Sequence, residues 1–234
     1  MPRFLSRLLP RRIFRRNALI LIAVIVIIIV LFNISGSSIE DDEEWYKHPH
    51  AYFKEVTCQH DEYTMKLFQE LTKKLSDTFE KLGLTYFLCY GSLWGALKLK
   101  ETLPWDRNID MCIISHQLAA VNEQTFHQTL KNNGLNYYYN SRRGKYIINY
   151  KTVSAEITVF EKVGNHMERV GWERRLFPHL YLDYQNFPFQ LVEKELTKIK
   201  FNNLLIPVPN QEFELQKYLY PDNWWKEVKP KGCF

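Results

Sequence analysis

Apolar residues recur along this chain at spacings that indicate secondary structure. From Asp61 to Leu82 they are separated by three or four residues, with charged residues between them, and Gly83 follows. This period matches one face of an α-helix, and a glycine is the common residue just past a helix end. The pattern therefore predicts an amphipathic helix over Asp61–Leu82. Its apolar positions are Met65, Phe68, Leu71, Leu75, Phe79 and Leu82.

Shorter runs rich in β-branched and aromatic residues predict strands. These runs are residues 85–90, 109–114, 137–139, 145–150, 155–160 and 201–208. Residues 141–144, Ser-Arg-Arg-Gly, separate two of them and predict a hairpin. Helices are predicted at residues 93–98, from Ser115 as N-cap to about Asn133, and at 211–220. The order of these elements indicates an α+β domain.

One apolar run is of a different kind. Every residue from Ala18 to Phe32 is apolar, and with Asn33 tolerated the run reaches Ile34, so about 17 residues can just cross a bilayer. Arginines precede the run and an acidic stretch, residues 40–44, follows it. By the positive-inside rule this flanking places the N-terminus in the cytosol, as in a type II single-pass protein. A cleaved signal peptide is the alternative.

These features predict four regions: a basic cytosolic tail (1–17), a transmembrane signal-anchor (18–34), a lumenal stem (35–50) and a folded domain (51–234). Because a short span suits the thinner membranes of the early secretory pathway, we expect the Golgi membrane, with the endoplasmic reticulum as second choice. The six arginines of residues 1–17 exceed the formal net charge of +5, so the rest of the chain has no basic excess. This charge distribution argues against a nucleic-acid partner.

Four cysteines would then lie in an oxidising lumen. We expect Cys89 and Cys112, which lie in apolar strand-like runs, to be buried free thiols. Cys58 or Cys233 could take part in a disulfide, and the sequence leaves the pairing open.

Residues 90–110, YGSLWGALKLKETLPWDRNID, contain the candidate chemistry. In an extended segment Asp106, Asn108 and Asp110 share one face, and their oxygens suit Mg²⁺ or Mn²⁺. Gly91-Ser92 lies at a predicted strand-to-helix turn, where free backbone N–H groups favour a phosphate. A metal site and a phosphate cradle are the parts needed for transfer from a nucleotide.

The same residues carry a family resemblance. The run YGSLWGALK followed by LPWDRNID resembles the signature of the LicD/fukutin family. Residues 201–209, then Leu215, Tyr218 and residues 220–224, resemble the closing segment of that family. The resemblance implies a nucleotidyltransferase-like mixed β-sheet with flanking helices. It also implies a phosphotransferase that moves a group such as ribitol phosphate or phosphocholine from a CDP-linked donor to a glycan or glycoprotein, in a possible complex with other Golgi transferases.

Position by position, the resemblance implies that Gly91, Ser92 and Lys98 bind donor phosphates. It implies that Asp106 and Asp110 are catalytic and, with Asn108, hold the divalent metal. Glu156 matches a third catalytic acid, acting as metal ligand or as base for the acceptor hydroxyl.

This chain has Asn108 where relatives have aspartate. An amide oxygen can coordinate a cation but brings no charge, so metal affinity should fall. The alternative to an enzyme is therefore a catalytically silent member that binds glycan, or serves as scaffold or chaperone for another Golgi transferase. The donor, the acceptor and the oligomeric state are left open by the sequence.

Overall fold

A computed structural model describes residues 17, 19–27, 57–176, 186–211, 213–221, 223–226, 229–230 and 232–233. The chain divides into two compact units, Met1–Lys54 and Glu55–Phe234. In the first, residue 17 and residues 19–27 are helical. No helix among the described residues is long and apolar enough to span a bilayer. The remainder of the predicted span, residues 18 and 28–34, and the whole predicted stem lie outside the described residues, so the anchor stays a prediction.

The second unit begins with α1 (Glu62–Lys81), which confirms the predicted amphipathic helix. The side chain of Asp61 caps it by accepting a hydrogen bond from the Thr64 N–H at 2.7 Å. Gly83 follows it in the left-handed conformation, with φ of +66°. Leu71, Leu75 and Phe79 lie on the buried face with no exposed surface. The apolar stripe read from the sequence is therefore the face that packs into the core.

In the described part of the chain, seven strands form one mixed sheet in the order β1-β2-β5-β4-β3, with β6 paired to β5 and β7 paired to β6. The pair β2–β5 is parallel and the other pairs are antiparallel. The strands are β1 (Tyr86–Leu88), β2 (Asn108–Ile114), β3 (Asn136–Asn140), β4 (Lys145–Tyr150), β5 (Val153–Val163), β6 (His166–Arg169) and β7 (Asn186–Pro188). The predicted α+β class and the predicted hairpin are confirmed.

Shorter helices and a small hairpin complete the described domain. The helices are α2 (Tyr90–Lys98), α3 (Ser115–Ala120), α4 (Glu123–Asn132), α5 (Trp172–Leu176), α6 (Gln190–Glu193) and α7 (Glu214–Leu219). Strands β8 (Thr197–Phe201) and β9 (Leu204–Val208) form a separate two-stranded sheet.

Three local predictions are wrong. The single helix predicted from Ser115 to Asn133 is two helices, because Asn122 starts a new one by accepting hydrogen bonds from the N–H groups of Gln124 and Thr125. The single strand predicted over 201–208 is a hairpin, because Asn202 and Asn203 adopt left-handed φ angles of +49° and +63° that suit a two-residue turn. Tyr90, predicted in a strand, begins helix α2.

The expectation of free thiols at Cys89 and Cys112 is also wrong, since these residues form a disulfide. The antiparallel register of β1 and β2 pairs Phe87 with Cys112, which brings Cys89 alongside it with a Cα–Cα distance of 6.0 Å. A second disulfide joins Cys58 to Cys233 across a sequence separation of 175. The two bridges include all four cysteines.

Candidate active site

The chain reverses sharply between β1 and α2. Tyr90 has a φ of +48°, a left-handed conformation that a residue with a side chain rarely adopts. Gly91 follows as the second residue of α2, and a Cβ atom at this position would lie 2.8 Å from Oδ2 of Asp106. Position 91 therefore has no room for a side chain while the Asp106 carboxyl group is in place. The predicted phosphate cradle and the first acid of the predicted metal site are in direct contact.

Asp106 lies in the loop between α2 and β2, and His60 holds its backbone. The His60 Nε2 donates to the Asp106 carbonyl oxygen at 2.6 Å, and the His60 backbone N–H donates to the Pro104 carbonyl at 2.9 Å. These bonds fix the loop that enters β2. No pattern in the sequence indicated this contact, because the two residues are 46 positions apart.

The carboxyl group of Asp106 is desolvated. Its Oδ2 atom is buried and has no hydrogen-bond partner among the described residues. Burial raises the pKa of Asp106 to about 7, because the charged form loses its hydration and gains no donor in return. An acid with this pKa exchanges its proton near neutral pH, which is a property expected of a functional group.

Asp110 is tied to both other predicted motifs. Its backbone N–H donates to Oγ of the fully buried Ser92 at 2.8 Å. Its Oδ1 accepts a hydrogen bond from Nδ2 of Asn108 at 2.7 Å. Ser92 thus joins the start of α2 to β2, and Asn108 supports the Asp110 carboxylate as a donor.

Glu156 lies beside Asp110, because the parallel pairing of β2 and β5 sets the two residues opposite each other. Its Oε2 accepts a hydrogen bond from Nζ of Lys145 at 3.0 Å. Lys145 is only 1% exposed, and its ammonium lies 5.4 Å from the centre of the Tyr90 ring. Sequence reasoning missed Lys145. The available signal was strand alternation. Lys145 is two residues before Ile147 and so shares its strand face, and Ile147 pairs with Glu156.

Lys98 is not brought to this cluster. It ends α2, about 10 Å along the helix axis from Gly91. Its ammonium lies 4.9 Å from the Trp94 ring centre and 5.0 Å from that of Phe213. The role of Lys98 toward donor phosphates stays a prediction from the resemblance.

The donor set fits a hard divalent cation in part. Among the described residues no group of three or more His, Cys, Asp or Glu side chains is arranged to hold a metal ion. Asp106 nevertheless presents a buried oxygen without a partner, and Asp110 presents a second carboxylate on the same stretch. Carboxylate oxygens are the ligands that Mg²⁺ and Mn²⁺ prefer. Glu156 is already engaged by Lys145, and Asn108 turns its amide nitrogen toward Asp110.

A family model described as LicD/FKTN/FKRP, nucleotidyltransferase domain, matches residues 83–211. The match covers more than half of the chain and includes every strand from β1 to β9. It contains Gly91, Ser92, Asp106, Asp110 and Glu156, whereas α7 and both partners of the Cys58–Cys233 disulfide lie outside it. A comparison with curated proteins found no match.

Proposed function

The chain belongs to the LicD/FKTN/FKRP family of nucleotidyltransferase domains, a phosphotransferase-type family, and from this premise we propose a specific activity for it. It transfers a phosphorylated polyol or similar group, of the ribitol phosphate or phosphocholine type, from a CDP-linked donor to a glycan. The observation that carries the proposal is the contact between the Gly91 turn and the buried Oδ2 atom of Asp106, which has no hydrogen-bond partner among the described residues. That contact joins a site for anions to a site for a cation.

The donor would bind with its phosphates at the start of α2. The first N–H groups of a helix have no partner within the helix, and the helix dipole places positive potential there. Gly91 has no side chain, which lets the Asp106 carboxyl group approach this backbone closely, so a cation held by Asp106 would lie beside the donor phosphates. Ser92 is buried against Asp110, so its backbone rather than its hydroxyl would face the donor.

The acids at the end of β2 would hold the metal and handle the acceptor proton. Asp106 and Asp110 would bind Mg²⁺ or Mn²⁺, which supplies neutralisation of the negative charge on the two phosphates. The acceptor hydroxyl oxygen forms a bond to the phosphorus of the transferred group, the bond from that phosphorus to the CMP oxygen breaks, and Glu156 takes the hydroxyl proton. The Lys145 ammonium holds the Glu156 carboxylate in place for this role.

Metal-dependent binding of CDP tests the proposal. We expect CDP to bind the purified full-length protein with Mn²⁺ present and not without it, and Asp110→Asn to weaken this binding at least tenfold, because a charged ligand to the metal is lost. Calorimetry measures both. Asp77→Asn is the matched control, since Asp77 is exposed and pairs with Lys73 across one turn of α1. Absence of metal-dependent binding for CDP and for CDP-linked polyols or choline would contradict the proposal.

The hydrogen bond from Asn108 to Asp110 supports the second candidate function, a catalytically silent member that binds glycan or a partner transferase. An amide donor already satisfies one oxygen of Asp110 without bringing a metal. We expect Asn108→Asp to raise Mn²⁺ affinity about tenfold or more, since a third carboxylate, beside those of Asp106 and Asp110, replaces that donor. Transfer measured with both proteins separates the candidates: turnover by the wild type excludes the silent member, and turnover by the variant alone supports it.

We further propose that the span at residues 18–34 anchors the protein in the Golgi membrane with its domain in the lumen. The arginine-rich flank supports the orientation, and two disulfides suit an oxidising compartment. The test is protease protection of the domain in sealed microsomes. A domain that is digested without detergent would contradict this orientation.

A further inference from the structure

The left-handed turn at Tyr90 needs support from outside the segment that forms it. A tyrosine at a φ of +48° is strained relative to ordinary backbone conformations, and such strain persists only where surrounding contacts enforce it. The residue directly precedes Gly91, so its conformation decides where α2 begins and how its first N–H groups point. The contacts that hold Tyr90 therefore bear on the proposed phosphate site.

Gln216, on helix α7, provides one such contact. Its Nε2 donates to the carbonyl oxygen of Tyr90 at 2.8 Å across 126 residues of sequence, and its side chain is 1% exposed. A carbonyl oxygen only accepts, so the amide must present its nitrogen here. Tyr220, just after α7, adds an edge-to-face contact with the Tyr90 ring at 6.4 Å between ring centres. The C-terminal segment thus contacts Tyr90 at its backbone carbonyl, through Gln216, and at its ring, through Tyr220.

A glutamine is a costly choice at this position. The Oε1 atom of Gln216 is buried and has no hydrogen-bond partner among the described residues. A buried polar atom without a partner destabilises a fold, and a leucine or methionine of similar size would avoid that penalty. The hydrogen bond from its Nε2 to the Tyr90 carbonyl is the contact that accounts for a polar side chain at this buried position.

The hydrogen bond from Gln216 to the Tyr90 carbonyl also affects the Gly91 N–H, because both groups belong to one peptide unit. The carbonyl of Tyr90 and the N–H of Gly91 belong to the same planar group and point in opposite directions. A donor that fixes the carbonyl on one side therefore fixes the N–H on the other. This N–H is among the first of α2 and lacks a partner within the helix.

We propose that Gln216 is a positioning residue that holds the Tyr90–Gly91 peptide so that the Gly91 N–H faces the donor phosphates. The nature of the ligand rests on the proposed function above, but the hold on the peptide does not. The proposal assigns a part of the site to α7, which lies beyond residue 211, where the family match ends.

Substitution at residues 216 and 90 tests this in the full-length protein. Gln216→Met keeps the side-chain length and removes the donor, and we expect it to weaken Mn²⁺-dependent CDP binding about five- to tenfold. Tyr90→Gly and Tyr90→Ala both remove the ring, but only glycine accepts a positive φ without strain. Added to Tyr90→Gly, Gln216→Met should cost less than about twofold. Added to Tyr90→Ala, it should keep its full effect.

A second measurement needs no ligand. Amide hydrogen exchange of the free protein should quicken about tenfold or more in Gln216→Met at Leu93, whose N–H donates to the Cys89 carbonyl around Tyr90, and stay unchanged in β8 and β9. Leu215→Met is the matched control, because it places the same side chain in the same helix at a buried position that does not bond Tyr90. If Gln216→Met does not fold, Gln216→Leu serves, since it also removes the donor and leaves no polar side-chain atom without a partner.

The outcomes are distinguishable. Failure of the wild type to bind CDP contradicts the proposed function, while hydrogen exchange still decides the role of Gln216. Unchanged exchange at Leu93 in Gln216→Met overturns the positioning role. Equal effects of Gln216→Met in the Tyr90→Gly and Tyr90→Ala backgrounds also overturn it, because the residue then acts through packing alone.

Discussion

Asp106→Asn should be more stable than the wild type at pH 8 and should lose metal-dependent CDP binding. Burial raises the pKa of Asp106 to about 7, from an ordinary aspartate value of 3.8. Below about pH 4 the group is protonated in both folded and unfolded chains and contributes no difference. As pH rises through 4 to 7, the unfolded chain releases its proton first, so the free energy of unfolding of the wild type falls. Above pH 7 the full penalty, on the order of 2–4 kcal/mol, is present.

Asparagine carries no charge at any of these pH values, so the variant should not show this part of the pH dependence. Chemical denaturation at pH 4, 6 and 8 measures the difference, which should be near zero at pH 4 and largest at pH 8. Asp77→Asn, at an exposed position, should follow the wild type throughout. An Asp106→Asn protein no more stable than the wild type at pH 8 would show that this carboxyl group is not desolvated in the folded protein.

A gain in stability coupled to a loss of binding separates a functional acid from a structural one. Removing a structural carboxylate leaves its donors without a partner and destabilises the fold. Asp106 Oδ2 has no such donors among the described residues, so its removal relieves a cost. Residues that destabilise the fold are typical of sites that bind a ligand. A cation that binds Asp106 would remove the same cost, so Mn²⁺ should stabilise the wild type and not the variant.

The parts of the fold that the sequence predicted are those that depend on local patterns. Helix α1 follows a 3.6-residue apolar period, and strand β2 and the β3–β4 hairpin follow apolar runs with a turn between them. The errors occur where short polar side chains change the backbone. Asn122 restarts a helix by capping it, and Asn202 with Asn203 turns one predicted strand into two. Asparagine forms these caps and turns readily, and an apolar period does not record them.

In the candidate site, too, the residues that are close in sequence could be predicted, and those brought together by the tertiary fold could not. Gly91, Asp106 and Asp110 lie within one short stretch, so their proximity could be predicted from the sequence. Glu156 lies beside Asp110 because of the register between β2 and β5, and it was predicted only from the family resemblance. The residues that support them were missed, since Lys145 depends on which face of β4 is buried and Gln216 on packing across 126 positions. The Cys89–Cys112 disulfide was missed, and the pairing of Cys58 and Cys233 was left open, because cysteine pairing is a property of the tertiary fold.

Removal of the Cys58–Cys233 disulfide should lower the free energy of unfolding more than removal of the Cys89–Cys112 disulfide does. Its partners are 175 residues apart, whereas Cys89 and Cys112 are 23 apart. In the chain-entropy model the longer loop contributes about 5 kcal/mol and the shorter about 3 kcal/mol, because closing a longer loop restricts the unfolded chain more. Denaturation of Cys58→Ser/Cys233→Ser and Cys89→Ser/Cys112→Ser proteins measures the two losses.

The order of these losses shows whether the disulfides stabilise the protein by restricting the unfolded chain or by local packing in the folded state. The Cys89–Cys112 bridge is fully buried beside the turn at Tyr90, so its removal also leaves two polar hydroxyls in the core. Cys89→Ala/Cys112→Ala avoids those hydroxyls and is the control for that effect. If the alanine pair is still less stable than Cys58→Ala/Cys233→Ala, local packing outweighs loop closure and the entropic account is wrong for this protein. If the long-range pair is less stable, the bridge from Cys58, two residues before His60, to Cys233 acts chiefly on the unfolded chain. The supports of Asp106 and Tyr90 should then keep their contacts in the fraction that remains folded, and CDP binding per folded molecule should be unchanged.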